Sequence, residues 1–194
     1  VNRGILIGPD GAVRARYDKI HMFDVDLPNG ESWRESATFA PGERAVLARV
    51  GPFTLGMSIC YDLRFPALYA ALTESGSTML AVPACFTRQT GEAHWHTLVR
   101  ARAIETGSYV VAATQGGEHE DGRSSFGHAL VVDPWGRILA DGGTEPGFVT
   151  ADVDPSEVIA ARSRIPAIRN RRAFAVEPID LGEAAARAPA GTAA

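Results

Sequence analysis

Apolar residues fall into short runs separated by turn-forming pairs, a pattern that predicts more strands than helices. Ile5-Leu6-Ile7, the turn Gly8-Pro9-Asp10-Gly11 and the extended run 12–17 predict a hairpin, because Pro-Asp-Gly supplies turn geometry between two strands. Residues 18–42 are polar, charged and broken by Pro28, Gly30, Pro41 and Gly42, which predicts a long loop of the kind that usually carries function. Strands are expected over 44–50 and 53–59, a short helix over 67–74, a buried strand over 78–83, and a longer helix over 92–106 stopped by Gly107. Trp95, Leu98, Val99 and Ala103 share one face of that helix and read as core. Strands over 109–114, 128–132, 138–140 and 148–153, a turn at Asp133-Pro134-Trp135-Gly136 and a short helix over 155–163 complete the series. Such alternation predicts layered α and β structure with helices covering sheets. One domain is expected over 1–178, followed by an Ala/Gly-rich tail over 179–194 that buries too little to order.

Composition narrows the function classes. The chain has 194 residues, 45% hydrophobic and 22% charged, with a formal net charge of -4, as expected of one ordinary soluble domain. Mild acidity argues against nucleic acid or an anionic membrane as the main partner. No apolar run reaches transmembrane length, and nothing at the start reads as a signal peptide. With Cys60 and Cys85 as its only cysteines, the chain reads as cytoplasmic and reduced rather than disulfide-built. The start, Val1-Asn2-Arg3-Gly4, runs without an initiator methionine straight into a strand, as if inside a domain.

The candidate chemistry centres on Cys60 in Ser58-Ile59-Cys60-Tyr61-Asp62-Leu63-Arg64-Phe65-Pro66, at the end of a predicted core strand. A side chain there is held rigidly, faces a crevice, and can use the amides that follow to stabilise an anion. Most lone cysteines are buried and inert, so the reading rests on the company this one keeps.

Tyr17-Asp18-Lys19-Ile20-His21-Met22-Phe23-Asp24, Glu35-Ser36, Pro41-Gly42, the Cys60 motif, Thr90-Gly91-Glu92-Ala93-His94-Trp95, Arg100-Ala101-Arg102-Ala103-Ile104-Glu105, and Gly127-His128 with Val132-Asp133-Pro134-Trp135-Gly136 together resemble the nitrilase superfamily of carbon–nitrogen hydrolases, in matching order and spacing. Within it the chain looks most like the amidases of deaminated glutathione, with the ω-amidases next. The resemblance implies an α-β-β-α sandwich, here lacking its N-terminal third, and a metal-free, cofactor-free Glu-Lys-Cys site. Cys60 would be the nucleophile, Lys19 the catalytic lysine and Glu35 the glutamate that holds it. The backbone N–H of Tyr61 would stabilise the oxyanion, while Arg64 and His94 would meet the substrate. Such a site splits amide hydrolysis into thiol attack, amine release and thioester hydrolysis. A guanidinium suits a substrate carboxylate, although an ion pair of Arg64 with Asp62 or Glu92 is an equal alternative. Family members also associate, which implies a homodimer or larger assembly acting on a small amide.

The chain departs from the pattern in one respect: family enzymes carry a general-base glutamate well upstream of the lysine, and no glutamate precedes Lys19. An N-terminally truncated amidase is therefore expected, and an inactive subunit or scaffold is the alternative. Two rival chemistries use histidine. A metal hydrolase would draw on His94, His96, His119 and His128, although His94 and His96 at i, i+2 point to different sides of a helix. A papain-like pair would join Cys60 to His94 or His128. Cys85, after another buried strand, reads as a core or pocket-wall thiol.

Overall fold

The computed structural model describes residues 1–28 and 30–179, so the tail from 180 onward lies outside the described residues. Arg3–Ile7 (β1) and Val13–Asp18 (β2) pair antiparallel as the expected hairpin. The stretch 18–42 is not a plain loop. Asp24–Asp26 (β3) and Ser32–Arg34 (β4) form a second hairpin, with Val25 opposite Trp33, and a 3-10 turn follows at Glu35–Ala37. Strands this short leave no alternation long enough to read in a sequence.

The remaining elements are Val46–Val50 (β5), Phe53–Met57 (β6), Pro66–Glu74 (α1), Met79–Ala81 (β7), Arg88–Thr106 (α2), Tyr109–Ala112 (β8), Gly116–Glu118 (β9), Ser124–Phe126 (β10), Leu130–Val132 (β11), Ile138–Asp141 (β12) and Pro155–Arg164 (α3). One six-stranded sheet runs β12-β11-β8-β7-β6-β5, with β6, β7 and β8 parallel and the other pairs antiparallel.

Register decides which residues share a face. Gly56, Leu80, Val110 and Val132 lie side by side, all buried, and pack with Leu72 of α1 and Trp95, Val99 and Ala103 of α2 in the main core. Helix α2 begins at Arg88, earlier than expected, because Thr87 caps it by accepting from Thr90 N–H. Thr90-Gly91 therefore lies inside the helix. A Cβ on Gly91 would stand 2.2 Å from the Phe126 Cβ, so glycine here serves close packing rather than a break. At the other end Gly107 closes the helix in the left-handed conformation, φ 57.

The opposite face carries Met57, Ala81, Val111 and Val131 in register. The β1–β2 hairpin covers one end through Tyr17 against Met57 and Ile59, and α3 covers the other through Val158 against Phe53 and Tyr109. Val111, between them, is 36% exposed. Of the expected four layers, the helical layer and the large sheet are thus present. On the far side the described residues supply β1–β2 and α3, not a second full sheet with its own helical layer.

Two further expectations need correction. Residues 148–153 pair with no strand among the described residues: Phe148 is 93% exposed, and Val153 packs beside Phe53, Tyr109 and Val158. Conversely, the Gly-rich stretch after β8 forms a hairpin, β9 with β10, that sequence composition hides. No helix among the described residues is long and apolar enough to cross a membrane.

Candidate active site

Beyond β6 the chain stays in sheet register, with Ser58 N–H donating to Ala81 O at 3.1 Å and Cys60 N–H donating to Pro83 O at 2.9 Å. It then turns abruptly. Cys60 has φ 49 and opens a 3-10 turn, Cys60–Arg64. Among the described residues only one other non-glycine, His128, has positive φ. Such conformations are strained for L residues and persist where surrounding contacts impose them. Here Asp62 Oδ2 accepts from Ile59 N–H at 2.9 Å, and Arg102 Nε donates to Leu63 O at 2.9 Å, fixing the turn from both sides.

Asp62 also ties this turn to the lysine segment. It is fully buried and accepts from Tyr17 Oη at 2.7 Å and His21 N–H at 3.0 Å, with His21 Nδ1 2.8 Å away. The His21 ring stacks on Phe65 at 3.6 Å. Tyr17 and His21 flank Lys19 at two residues on either side, so these bonds set where Lys19 emerges. Lys19 is 2% exposed, and its ammonium donates to Glu35 Oε2. Glu35 further accepts from Asn2 Nδ2 at 3.0 Å and Phe23 N–H at 2.7 Å. Burial pushes its carboxyl up, but the bonds from Lys19, Asn2 and Phe23 outweigh burial and hold it below the ordinary value.

Lys19, Glu35, Cys60, Tyr61 and Arg64 line one cavity of about 770 Å³. The Cys60 thiol donates to Cys85 O at 3.7 Å. Burial raises its pKa, against the opposing effects of that carbonyl and of the Lys19 charge, so the resting sulfur is a thiol. A lysine whose charge is already met by Glu35 does not overcome desolvation, and attack on a carbonyl therefore needs proton removal.

The other expected site residues fall differently. Tyr61 presents its ring to the cavity, edge-on to Phe23 at 5.0 Å. Arg64 pairs with neither Asp62 nor Glu92; its Nη1 lies 3.2 Å from His94 Nδ1, and its guanidinium sits over Phe86 at 5.2 Å. His94 is exposed on α2 and is not among the cavity-lining residues, so it reaches the site only through Arg64. Neither histidine of the papain-like pair accompanies Cys60: His94 holds Arg64, and His128 holds Asp141. The four-histidine metal set is likewise dispersed, with His119 bonded to Ser125 Oγ and only His96 and His128 adjacent.

Sequence reasoning missed Asn2, Trp33 and Ser125, which also line the cavity, and offered His119, a fourth lining residue, only as a metal ligand. Asn2 and Trp33 arrive through hairpins, and His119 and Ser125 through β9–β10. Cys85 is the pocket-wall thiol expected, 3.0 Å from Ser125 Oγ.

Comparison with known proteins shows the family and the fold. The family described as carbon–nitrogen hydrolase matches residues 1–163. A deaminated glutathione amidase of Synechocystis sp. is 45% identical over 172 residues, covering 88% of this chain. The chain spans 63% of that relative's length. Among solved structures, Saccharomyces cerevisiae Nit3, a member of branch 10 of the nitrilase superfamily, superposes with a TM-score of 0.78 at 30% identity, over 88% of this chain and 59% of its own. A mutant amidase from Nesterenkonia sp. AN1, carrying the acetamide moiety of fluoroacetamide on its active-site cysteine, superposes with a TM-score of 0.71 at 28% identity, over 88% of this chain and 58% of its own.

Proposed function

The chain belongs to the carbon–nitrogen hydrolase family, within the nitrilase superfamily, and from that premise we propose that it is a thiol-dependent amidase acting on a small amide that carries a carboxylate. The observation that carries the reading is the buried Lys19–Glu35 pair on the same cavity as Cys60. A buried ammonium opposite a thiol serves the step in which charge develops: attack on the carbonyl carbon makes an oxyanion, and Lys19 with the Tyr61 amide can stabilise it. Collapse releases ammonia or an amine and leaves an acyl group on Cys60 as a thioester, which water then hydrolyses. Glu35 holds the Lys19 ammonium in place. Arg64, held over Phe86 and steadied by His94, is suited to a substrate carboxylate by paired hydrogen bonds. The reading requires a reducing location such as the cytoplasm and no cofactor, and the family resemblance adds a homo-oligomer to it.

The Cys60 proton needs an acceptor. The resemblance assigns it to a glutamate upstream of the lysine, and residues 1–18 contain none. The second reading is a non-catalytic subunit or scaffold. Intact-mass analysis of the folded chain exposed to fluoroacetamide separates the two. The amidase reading expects an acetamide adduct, formed as the sulfur displaces fluoride, that is lost in Cys60→Ala, and hydrolysis of a small amide that falls about 10²–10³-fold in Lys19→Ala. A folded sample that stays unlabelled, or that labels Cys85 as readily, favours the scaffold.

A further inference from the structure

Outside the cavity, two imidazoles and a carboxylate converge from three elements. His96 stands on α2, His128 precedes β11, and Asp141 ends β12. His96 Nε2 lies 3.1 Å from Asp141 Oδ2, and His128 Nδ1 lies 2.9 Å from Oδ1. One donor atom from each residue falls within 4.8 Å of the other two. None of the three lines the Cys60 cavity.

We propose that His96, His128 and Asp141 form a binding site for a divalent cation of the zinc type. The donor set selects the ion: imidazole nitrogens suit zinc and its neighbours, while magnesium and calcium want more oxygens than one carboxylate offers. Bonds of about 2.0–2.1 Å in tetrahedral geometry need donors about 3.3 Å apart, and Asp141 already stands near that distance from both imidazoles. Small side-chain adjustments bring the imidazoles to the ion, and the fourth position falls to water.

The surroundings hold these donors in place. Trp95 Nε1 donates to His128 O at 2.8 Å, which fixes the backbone of a residue at φ 58. Phe126 stacks on the His128 ring at 4.5 Å and meets His96 edge-on at 5.8 Å. Gly143 N–H donates to Asp141 Oδ1 at 2.9 Å, orienting the carboxylate. The side chains of His96, His128 and Asp141 are 33%, 25% and 33% exposed, so an ion reaches them from solvent without unfolding. The cation would fasten the edge strand β12 to α2. Without it, Asp141 accepts from the two histidines and the trio is an ordinary hydrogen-bonded cluster, which is the competing account.

The test uses the full chain, stripped with chelator and then titrated with zinc sulfate, with calorimetry and thermal unfolding as readouts. Expected are one equivalent bound and an unfolding midpoint raised by about 5–10 °C at a hundredfold excess over Kd. His96→Gln and Asp141→Asn should each weaken binding at least about tenfold. Free thiols such as Cys60 and Cys85 also bind zinc, so cobalt(II) is titrated in parallel: nitrogen and oxygen donors give no sulfur-to-cobalt charge-transfer band. Absence of binding, binding untouched by both substitutions, or a sulfur-to-cobalt band abolished by Cys60→Ala overturns the proposal. Should Asp141→Asn fail to fold, His96→Gln, a helix-surface change, carries the test.

Discussion

Tyr17 and Asp62 are joined by a buried hydrogen bond of 2.7 Å that links the strand leading to Lys19 with the turn that begins at Cys60. The two segments are 45 residues apart in sequence, and Asp62 binds them at three points, through Tyr17 Oη, His21 N–H and Ile59 N–H. Asp62 touches no reacting atom in the proposed chemistry; it is a positioning residue.

Asp62→Ala would leave two buried donors, Tyr17 Oη and Ile59 N–H, and the half-buried His21 N–H without their carboxylate acceptor. An unsatisfied buried donor costs more than the bond itself contributed, so a loss of about 2–4 kcal/mol is expected. Equilibrium urea unfolding measures it, and a loss below about 1 kcal/mol would mean that water replaces the carboxylate.

Glu35 sets an acid limb of stability. Its folded pKa lies below the ordinary 4.5 because the bonds from Lys19, Asn2 and Phe23 outweigh burial. As pH falls, the unfolded chain takes up that proton first. The stability Glu35 contributes is therefore complete above the unfolded value and is lost as pH drops through the folded one. Urea unfolding of the wild type and Glu35→Gln, compared from about pH 7 to pH 3, should show the gap between them narrowing with acid. A constant gap would show that the pair does not titrate with folding.

Gly42 is expected to matter to the site although it makes no contact with Cys60. Its N–H donates to Lys19 O at 2.8 Å, and a Cβ there would stand 2.1 Å from Asp18 O. Gly42→Ala must push the Lys19 backbone aside. A stability loss of about 1–3 kcal/mol and slower hydrolysis of a small amide are expected together. Unchanged hydrolysis would detach Lys19 from the reaction.

Arg64→Gln tests the carboxylate preference. Loss of a charge-assisted contact worth about 1.5–3 kcal/mol should raise KM roughly 10–100-fold for an amide bearing a carboxylate and leave a neutral aliphatic amide nearly unchanged. Equal effects on both would assign Arg64 to packing over Phe86.

Much of the large sheet was legible because each of its strands is an apolar run bounded by turn residues, as in the Leu80 and Val110 strands, and Trp95, Val99 and Ala103 marked the inner face of the long helix. The pieces that complete the site were not. Trp33 and Ser125 lie on strands of three residues whose partners are equally short, and no periodicity survives over such a span. Cys60 stood out by its place at the end of a predicted core strand, whereas Lys19 and Glu35 were singled out through motif resemblance, since nothing in a lysine's local sequence says that it will be 2% exposed. The Asp62 clamp escaped notice because its partners, Tyr17 and His21, sit beside a different motif. His94 was assigned to the substrate by resemblance, and its place behind Arg64 rather than on the cavity wall was not legible, because helix periodicity gives a face but not what that face meets.

The left-handed backbone at position 60 restricts which amino acids evolution or an engineer can install there. Threonine, branched at Cβ, is disfavoured at φ 49, whereas serine fits the same angle as cysteine does. A selection for oxygen nucleophiles on this scaffold should accordingly return serine and pass over threonine, for a reason that lies in one dihedral and not in the relative reactivity of the two hydroxyls.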